Sequence, residues 1–296
     1  MHNIRTDMAY EAHRTALQTA GGNVEGVNYE EYNDTNISAS KIEILNGTGE
    51  KSTGKPCGKY ITAKIEKDFT PQYFKSYSEF LALRIKELLP SDYENVLIAG
   101  LGNRFITADS IGPKAVSHII VTRHIKSICP SVYRDLSLSE VAALAPGVLA
   151  QTGIESGVII KSIIDDIHPE CLIVIDALAT RNFTHLSRMI QLSDYGIHPG
   201  SGVHNSRLAL TRENMGIPVI SIGVPTVIDA SAFAADIVQK NGLPEDSIRR
   251  NKELECFITL KESDIITDNM AKLIGYSVNL ALHQTLSYEE MVCLCS

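Results

Sequence analysis

Three short, continuous runs of apolar residues restrict the folds that this chain can adopt. They are NVLIAG (Asn95–Gly100), CLIVIDAL (Cys171–Leu178) and IPVISIGVP (Ile217–Pro225). A strand that is apolar at every position must be covered on both faces, which is typical of a parallel sheet between two layers of helices. The runs are far shorter than the roughly 20 apolar residues that a membrane-spanning helix needs, so we expect no membrane association.

Segments with helical periodicity lie around these runs. They are Tyr73–Leu89, Asp109–Ile125, Glu155–Ile167, Ser231–Gly242 and Ile265–His283. Apolar strands that alternate with helices predict one main α/β domain, with a mostly parallel central sheet and helices on both faces. The first 70 residues are polar and mixed, and we expect an N-terminal extension there. Within it, Asn46–Tyr60 is rich in Gly, Ser, Thr and Lys, which predicts a loop or hairpin.

Charge and cysteine content narrow the functional classes. Among the 296 residues, 27 Lys and Arg stand against 35 Asp and Glu, giving a formal net charge of −8. No dense basic stripe is present, so we do not expect direct binding to nucleic acid. The six cysteines form no C-x-x-C pair, and no apolar run of signal-peptide length follows the N-terminus. We therefore expect a cytoplasmic protein with reduced thiols.

The turn after the first apolar run, GLGNRF (Gly100–Phe105), is similar to the start of a dinucleotide-binding fingerprint. Gly100 and Gly102 match its first two glycines, but Phe105 occupies the position of the third. A dinucleotide-dependent oxidoreductase is therefore an alternative that Phe105 weighs against. The structural interpretation is a tight turn in which a side chain would clash.

Two acidic residues follow two of the predicted strands. Asp109 lies in the loop after Asn95–Gly100, and Asp176 comes at the end of the Cys171–Ile175 strand. The carboxyl ends of parallel strands meet at one edge of a sheet, where open α/β folds bind ligands. Two neighbouring carboxylates can share a proton and so supply a base and an acid. A helix N-cap at Asp109 and a hydrogen-bonded acid at Asp176 are the structural alternatives.

A third polar stretch, QLSDYGIHPGSGVHNSR (Gln191–Arg207), combines Asp194, His198 and His204 with several glycines and a proline. Active-site loops often have this composition. Asp194 and His198 have the i, i+4 spacing of a metal or acid–base pair on a helix, but the Gly and Pro residues argue against a helix. Each histidine alone is more often a surface or hydrogen-bonded residue than a ligand.

Taken together, these stretches resemble the germination protease family of spore-forming bacteria. The matching motifs, in order, are GLGNRFITADSIGPKAV, TRHI, APGVLAQTGIES, IVIDALATRN, QLSDYGIHPGSGV and GIPVISIGVPTVIDA. The resemblance runs from about Asn3 to about Asp236 and resumes at Ser277–Gln284. It implies an endopeptidase that degrades small acid-soluble spore proteins at germination. The implied core is the phosphorylase/hydrolase-like α/β fold of the hydrogenase-maturation endopeptidases.

The resemblance also implies roles for particular residues. Asp109 in ITADSIG and Asp176 in IVIDALA match the proposed catalytic aspartates of the germination proteases. In the hydrogenase-maturation enzymes the matching acids contact nickel, and the best candidate here for their metal-binding histidine is His198. A divalent metal held by Asp109, Asp176 and His198 is thus an alternative to a cofactor-free aspartate pair. The supporting and substrate-binding residues predicted from the motifs are Asp194, His198, Gly100, Gly102 and Asn103.

The start of the chain, RTDMAYEA, has two interpretations. Asn3–His13 could begin a surface helix with Thr6 or Asp7 as its N-cap. The family implies a second interpretation, because its zymogens trim their own N-terminus and its substrates are cut between an acidic residue and a hydrophobic residue followed by alanine. Asp7 and Met8 fit that pattern, so we predict a pro-segment of residues 1–7 and a protease domain of residues 8–296. The family further implies a homotetramer in the forespore or spore core.

The hypothesis for the chemistry is acid–base peptide hydrolysis by the Asp109 and Asp176 pair, which would titrate as a unit. A metal-dependent peptidase would instead use an ion to activate the water. A non-catalytic metal-binding module on the same fold is the alternative from another functional class, since fold alone does not fix function.

Overall fold

The computed structural model describes residues 6–34, 37–66, 68–199, 208–241 and 256–295. Its strands are β1 (Val27–Asp34), β2 (Ile37–Ile44), β3 (Gly58–Ile65), β4 (Asn95–Gly100), β5 (Glu140–Leu144), β6 (Cys171–Thr180), β7 (Met189–Ser193), β8 (Gly196–Ile197), β9 (Leu210–Thr211), β10 (Val219–Asp229) and β11 (Phe257–Ile258). Its helices are α1 (Ala9–Ala20), α2 (Gly47–Thr53), α3 (Pro71–Leu88), α4 (Ile111–Val116), α5 (Arg123–Ile128), α6 (Pro130–Asp135), α7 (Leu149–Thr152), α8 (Ser156–Ile167), α9 (Arg212–Met215), α10 (Ala230–Lys240), α11 (Ser263–Leu282) and α12 (Tyr288–Leu294).

One large sheet organises the fold, with the strand order β1-β2-β3-β7-β10-β6-β4-β5 and β11 paired to β10. The three apolar runs of the sequence form β4, β6 and β10, and these run parallel to one another and to β5. The predicted α/β class with a parallel core is therefore confirmed. On the other side of β10, the sheet continues through the antiparallel strands β7, β3, β2 and β1.

The two faces of β6 explain why its sequence is apolar throughout. Successive side chains of a strand point to opposite faces. Ile173 and Ile175 join a core cluster that contains residues of α3, α4 and α11, whereas Leu172 and Val174 join a second cluster with α8. All four side chains are fully buried. Helices thus cover both faces of the parallel core, as predicted.

The N-terminal region is part of the sheet, where the sequence suggested a polar extension. β1, β2 and β3 form an antiparallel meander, and β3 pairs with β7. The segment Asn46–Tyr60, expected as a loop or hairpin, contains helix α2. The Asn46 side chain accepts hydrogen bonds from the backbone N–H groups of Thr48 and Gly49, which caps this helix. Its C-terminus is closed by Gly54 in the left-handed region.

The helix predicted over Asp109–Ile125 is interrupted, so that prediction is wrong in part. The structure has a 3₁₀ turn at Thr107–Asp109, then α4, then α5. Asn279 of α11 provides the reason. Its Oδ1 accepts from the backbone N–H of Ile120 at 2.9 Å, and its Nδ2 donates to the carbonyl of His118 at 2.8 Å. These bonds satisfy backbone groups that a continuous helix would have paired internally.

The remaining long helices agree with the predicted periodicity: α3, α8 and α11 begin and end within two residues of the expected bounds. The expected end of the fourth, at Gly242, lies outside the described residues. Throughout the described ranges, we find no helix with the length and apolar character needed to cross a membrane.

Candidate active site

Asp176 lies one residue beyond the last residue of β6 that pairs with β4. Gly100, the last residue of β4, pairs with Ile175, and the N–H of Leu101 donates to the carbonyl of Ile175 at 2.8 Å. The next residue of β6 is Asp176, which therefore lies beside the turn after β4. Its side chain is only 7% exposed, and its Oδ1 accepts from the N–H of Ala177 at 2.8 Å. Asp176 lies within β6, which continues to Thr180.

Asp109 is held by the glycine turn. The backbone N–H of Asn103 donates to Oδ2 of Asp109 at 2.9 Å. Gly102 has φ +110°, and a Cβ at this position would lie 2.0 Å from the carbonyl oxygen of Asp109. The Asn103 side chain accepts a hydrogen bond from Nε2 of Gln151 at 2.7 Å, which links the turn to α7. The glycines of GLGNRF thus allow a close approach between the turn and Asp109, which agrees with the structural interpretation of this motif.

Both aspartates line one cavity at the carboxyl edge of the parallel strands, although 67 residues separate them in the sequence. The cavity has a volume of about 300 Å³, and Asp7 and Glu155 also line it. Glu155 was not singled out from the sequence; its Oε1 accepts from the N–H of Leu208 at 2.6 Å. Asp109 and Asp176 therefore meet at the sheet edge where the sequence predicted them.

His198 and Asp194 take different positions around this site. His198 lines a second, smaller cavity of about 80 Å³ that Asp176 and Asp7 also line. Its ring stacks on Tyr195, with the ring centroids 5.8 Å apart. Asp194 is not among the described residues that line either cavity. Its Oδ1 accepts from the N–H of Lys59 at 2.7 Å, so its contact is with the backbone of β3. His204 lies outside the described residues.

The arrangement of donors bears on the metal alternative. Asp109 lines the larger cavity, His198 lines the smaller one, and Asp176 lies between them. Within the ranges that the structure describes, no three His, Cys, Asp or Glu side chains are grouped as they would be to hold a metal ion. The described structure therefore does not group Asp109, Asp176 and His198 around one position.

Asp7, one of the first residues that the structure describes, lies in the same cleft. Asp7 forms two hydrogen bonds with Ala179 of β6: its N–H donates to the Ala179 carbonyl at 3.1 Å, and its Oδ2 accepts from the Ala179 N–H at 2.8 Å. Met8 follows in an extended conformation and is fully buried against Leu178 and Met189. Helix α1 begins at Ala9, and its N-cap is Met8 without a side-chain cap. The expectation of a surface helix capped by Thr6 or Asp7 is therefore wrong, because tertiary contacts hold both residues.

Glu11 anchors this segment from within α1. Its buried carboxylate accepts hydrogen bonds from Thr6 and Thr180, from the N–H of Arg181 at 3.1 Å, and pairs with Nδ1 of His185 at 2.6 Å. Burial alone would raise the pKa of Glu11, but the hydrogen bonds from His185, Thr180, Thr6 and Arg181 outweigh it and hold the pKa below its usual value. The ionised form of Glu11 therefore stabilises the docked segment.

Replacement of Glu11 by Gln is expected to lower the free energy of unfolding at pH 7 by about 2–3 kcal/mol, since Gln retains the shape but loses the charge that the four donors face. A lowered folded-state pKa contributes stability above the unfolded value of 4.5, and that stability is lost as pH falls through the folded pKa. The difference between wild type and Glu11→Gln should therefore shrink below pH 4.5.

Urea unfolding at pH 7 and at pH 4 measures this difference, and the exposed Glu25→Gln is the matched control. A difference that is equal at both pH values would contradict the role given to the ionised carboxylate.

The fold and the cleft define an α/β protein with an acidic cleft at the carboxyl edge of its parallel strands, an arrangement suited to acid–base hydrolysis. Comparison with known proteins specifies the family. The sequence profile described as germination protease matches residues 4–240. The chain belongs to the germination protease family, and it is a peptidase of spore germination.

Individual relatives agree along almost the whole chain. A germination protease of Caldanaerobacter subterraneus subsp. tengcongensis is 38% identical over 320 residues, covering 97% of each chain. One from Clostridium perfringens is 36% identical over 326 residues, covering 98% of each, and one from Priestia megaterium is 30% identical over 356 residues, covering 97% of this chain and 96% of the other. Among solved structures, the NiFe hydrogenase maturation protease HycI of Thermococcus kodakarensis superimposes with a TM-score of 0.37 at 15% identity, covering 66% of this chain and 98% of the other.

Proposed function

We propose that the chain is an endopeptidase that begins the degradation of small acid-soluble spore proteins, and that it is made as a zymogen which removes its own residues 1–7. The observation that carries the proposal is the position of the Asp7–Met8 bond. This bond has the acidic–hydrophobic–Ala sequence of the expected substrates, and Asp7 lines the same cavity as Asp109 and Asp176. In this proposal Asp7 occupies the cleft as the acidic residue of a substrate would.

The surroundings of the segment account for each part of that sequence pattern. The acidic side chain of Asp7 accepts a hydrogen bond from a backbone N–H of β6. The hydrophobic side chain of Met8 fills a pocket against Leu178 and Met189. Ala9 is 1% exposed and packs in a cluster with Ile42 and Ile44, so a larger side chain would have to displace the core. Each position therefore selects a residue by charge, by apolar area or by size.

The proposed chemistry uses the two aspartates as one acid–base unit. One of Asp109 and Asp176 is ionised and takes a proton from the attacking water, while the other is protonated and donates to the leaving nitrogen. Sharing a proton requires two carboxylates close together, and the lining of one cavity by Asp109 and Asp176 supports this part of the proposal. In this proposal His198 contacts substrate from the smaller cavity. Asp194 supports the site through β3.

The same proposal assigns residues 8–296 to a single protease domain. The enzyme would work in the forespore or spore core, as a homotetramer, on the small acid-soluble spore proteins. It would need no cofactor. The match to the germination protease profile is what supports these assignments.

Intact mass spectrometry of the purified full chain, incubated at mildly acidic pH, tests the proposal. We expect the mass of Met1–Asp7 to be lost with a rate constant that does not change with protein concentration, because the bond already lies in its own cleft. A chain that stays whole and also leaves an acid–hydrophobic–Ala peptide uncut would refute the peptidase proposal and favour a non-catalytic module. A rate that rises with concentration would contradict cleavage within one chain.

A further inference from the structure

Two donors converge on the carbonyl oxygen of Asp7, which belongs to the bond proposed to be cut. Nζ of Lys55 donates to this oxygen at 3.0 Å, and Nε2 of Gln191 lies 3.3 Å from it. Neither Lys55 nor Gln191 was singled out from the sequence. Lys55 follows the Gly54 that closes α2, and Gln191 lies in the middle of β7. The sheet and α2 thus bring a cation and an amide to one backbone atom.

Gln191 contacts the chain on both sides of the bond. Its Oε1 accepts from the N–H of Ala9 at 2.6 Å, while its Nε2 faces the Asp7 carbonyl. The orientation of this amide is fixed by chemistry, because only the oxygen can accept from the Ala9 N–H. The side chain is 8% exposed and is therefore held in a defined position. It spans the bond between Asp7 and Met8 as a clamp on the backbone.

Lys55 brings a positive charge into the same space. Its Nζ also donates to the carbonyl oxygen of Thr6 at 2.8 Å, so the ammonium group is held by two successive backbone oxygens. Burial lowers the pKa of Lys55, and the nearby carboxylates of Asp7 and Glu11 act in the opposite direction. A cation with little water around it interacts more strongly with developing negative charge than one in bulk solvent.

We propose that Lys55 and Gln191 are catalytic residues that bind the carbonyl oxygen of the residue before the cut and stabilise the negative charge formed there. The inference rests on the proposed function and deepens it. Both contacts are to backbone atoms, so they serve any peptide that lies in the cleft in this frame. Asp109 and Asp176 would then handle protons, and Lys55 and Gln191 would handle the oxyanion.

The water oxygen forms a bond to the carbonyl carbon of Asp7, and the C=O π electrons move to the oxygen held by Lys55 and Gln191. The ionised aspartate takes one proton from the water. The C–O π bond then re-forms as the C–N bond breaks, and the protonated aspartate gives its proton to the nitrogen of Met8. The products are a carboxylic acid and an amine. The pair still holds one proton, now on the aspartate that began ionised, and its transfer back to the other aspartate restores the starting state.

The test compares self-cleavage of full-length Lys55→Met and Gln191→Met with wild type by intact mass over time. Removing one oxyanion donor typically costs about 100- to 1,000-fold in rate, which we expect for Lys55→Met, with a smaller loss for the neutral donor Gln191. Lys55→Arg keeps the charge and should recover part of the rate. The exposed Lys51→Met on α2 is the matched control and should cleave as wild type does.

Hydrogen exchange at the amides of Ala9, which donates to Gln191, and of Ala12, which donates to the carbonyl of Met8, separates catalysis from docking. We expect Lys55→Met to keep these amides protected while its cleavage rate falls. Protection lost together with the rate would overturn the proposal, since Lys55 would then only hold the segment in place. Cleavage of Lys55→Met at the wild-type rate would also overturn it.

A parallel Asp176→Asn sample distinguishes failure of the oxyanion role from failure of the aspartate chemistry. If Asp176→Asn stays whole while Lys55→Met cleaves normally, only the oxyanion role fails. If Asp176→Asn cleaves as fast as wild type, the proposed aspartate chemistry itself fails. If circular dichroism shows that Lys55→Met does not fold, the cleavage rates of Lys55→Arg and Gln191→Met serve as the test. Wild-type rates for both variants would overturn the oxyanion role of Lys55 and Gln191.

Discussion

Full-length Asp176→Asn and Asp109→Asn should both remain whole under conditions in which the wild type loses residues 1–7. We expect the rate of self-cleavage to fall by about 1,000-fold or more, because each variant removes one half of a unit that must both take and give a proton. Asn has nearly the shape of Asp, so the hydrogen bonds from Asn103 and Ala177 can largely persist. The measurement is intact mass against time, with thermal unfolding to verify the fold.

The exposed Asp166→Asn on α8 is the matched control and should trim at the wild-type rate. The double variant should lose little beyond either single variant, since residues that act as a unit are not additive. Equal trimming of wild type and both single variants would point to a contaminating protease. Trimming at full rate by one variant alone would contradict the paired mechanism.

Gly102→Ala is expected to lower both the rate of self-cleavage and the stability of the fold. Gly102 has φ +110°, and the added methyl group would lie 2.0 Å from the carbonyl oxygen of Asp109. The turn must move, and Asp109 must move with it. A displacement of about 1 Å at a catalytic group can cost roughly 100-fold in rate, so we expect at least that loss of self-cleavage. The free energy of unfolding should fall by about 3 kcal/mol or more.

Gly153→Ala separates the clash from the backbone strain. Gly153 also has a positive φ, of +71°, but a Cβ there would meet no atom within 4 Å. We expect about 1 kcal/mol of destabilisation and unchanged cleavage, since only the strain of the left-handed conformation remains. Urea unfolding and the mass assay together make the comparison. Equal effects of the two substitutions would argue that contact with Asp109 is unimportant.

The central strands and long helices could be predicted from the sequence because their signals are local. A run such as Cys171–Leu178 can only be buried on both faces, and the periodicity of α3, α8 and α11 is regular. The edge at which Asp109 and Asp176 meet followed from the parallel direction of β4 and β6. Their convergence on a shared cavity is therefore a prediction that sequence reasoning could reach.

The other contributions to the cleft depend on distant contacts. Lys55 belongs to a segment whose glycines and lysines resemble any surface loop, and nothing local indicates that its ammonium group meets Asp7. Gln191 alternates with apolar residues in β7, a pattern that fits a half-polar strand equally well. The break between α4 and α5 depends on Asn279, more than 150 residues later in the chain. Such effects become visible only when the strands are assembled.

The junction between Met8 and α1 has a consequence for turnover. If the Asp7–Met8 bond is cut, the chain from Met8 onward remains held by the buried Met8 side chain and by the carboxylate of Glu11. The product would then be a tethered competitor, present at an effective concentration on the order of millimolar. An incoming protein must displace it before it can be cut. The onset of activity on other chains would therefore depend on how easily the first turn of α1 leaves the cleft, which the Glu11 network sets.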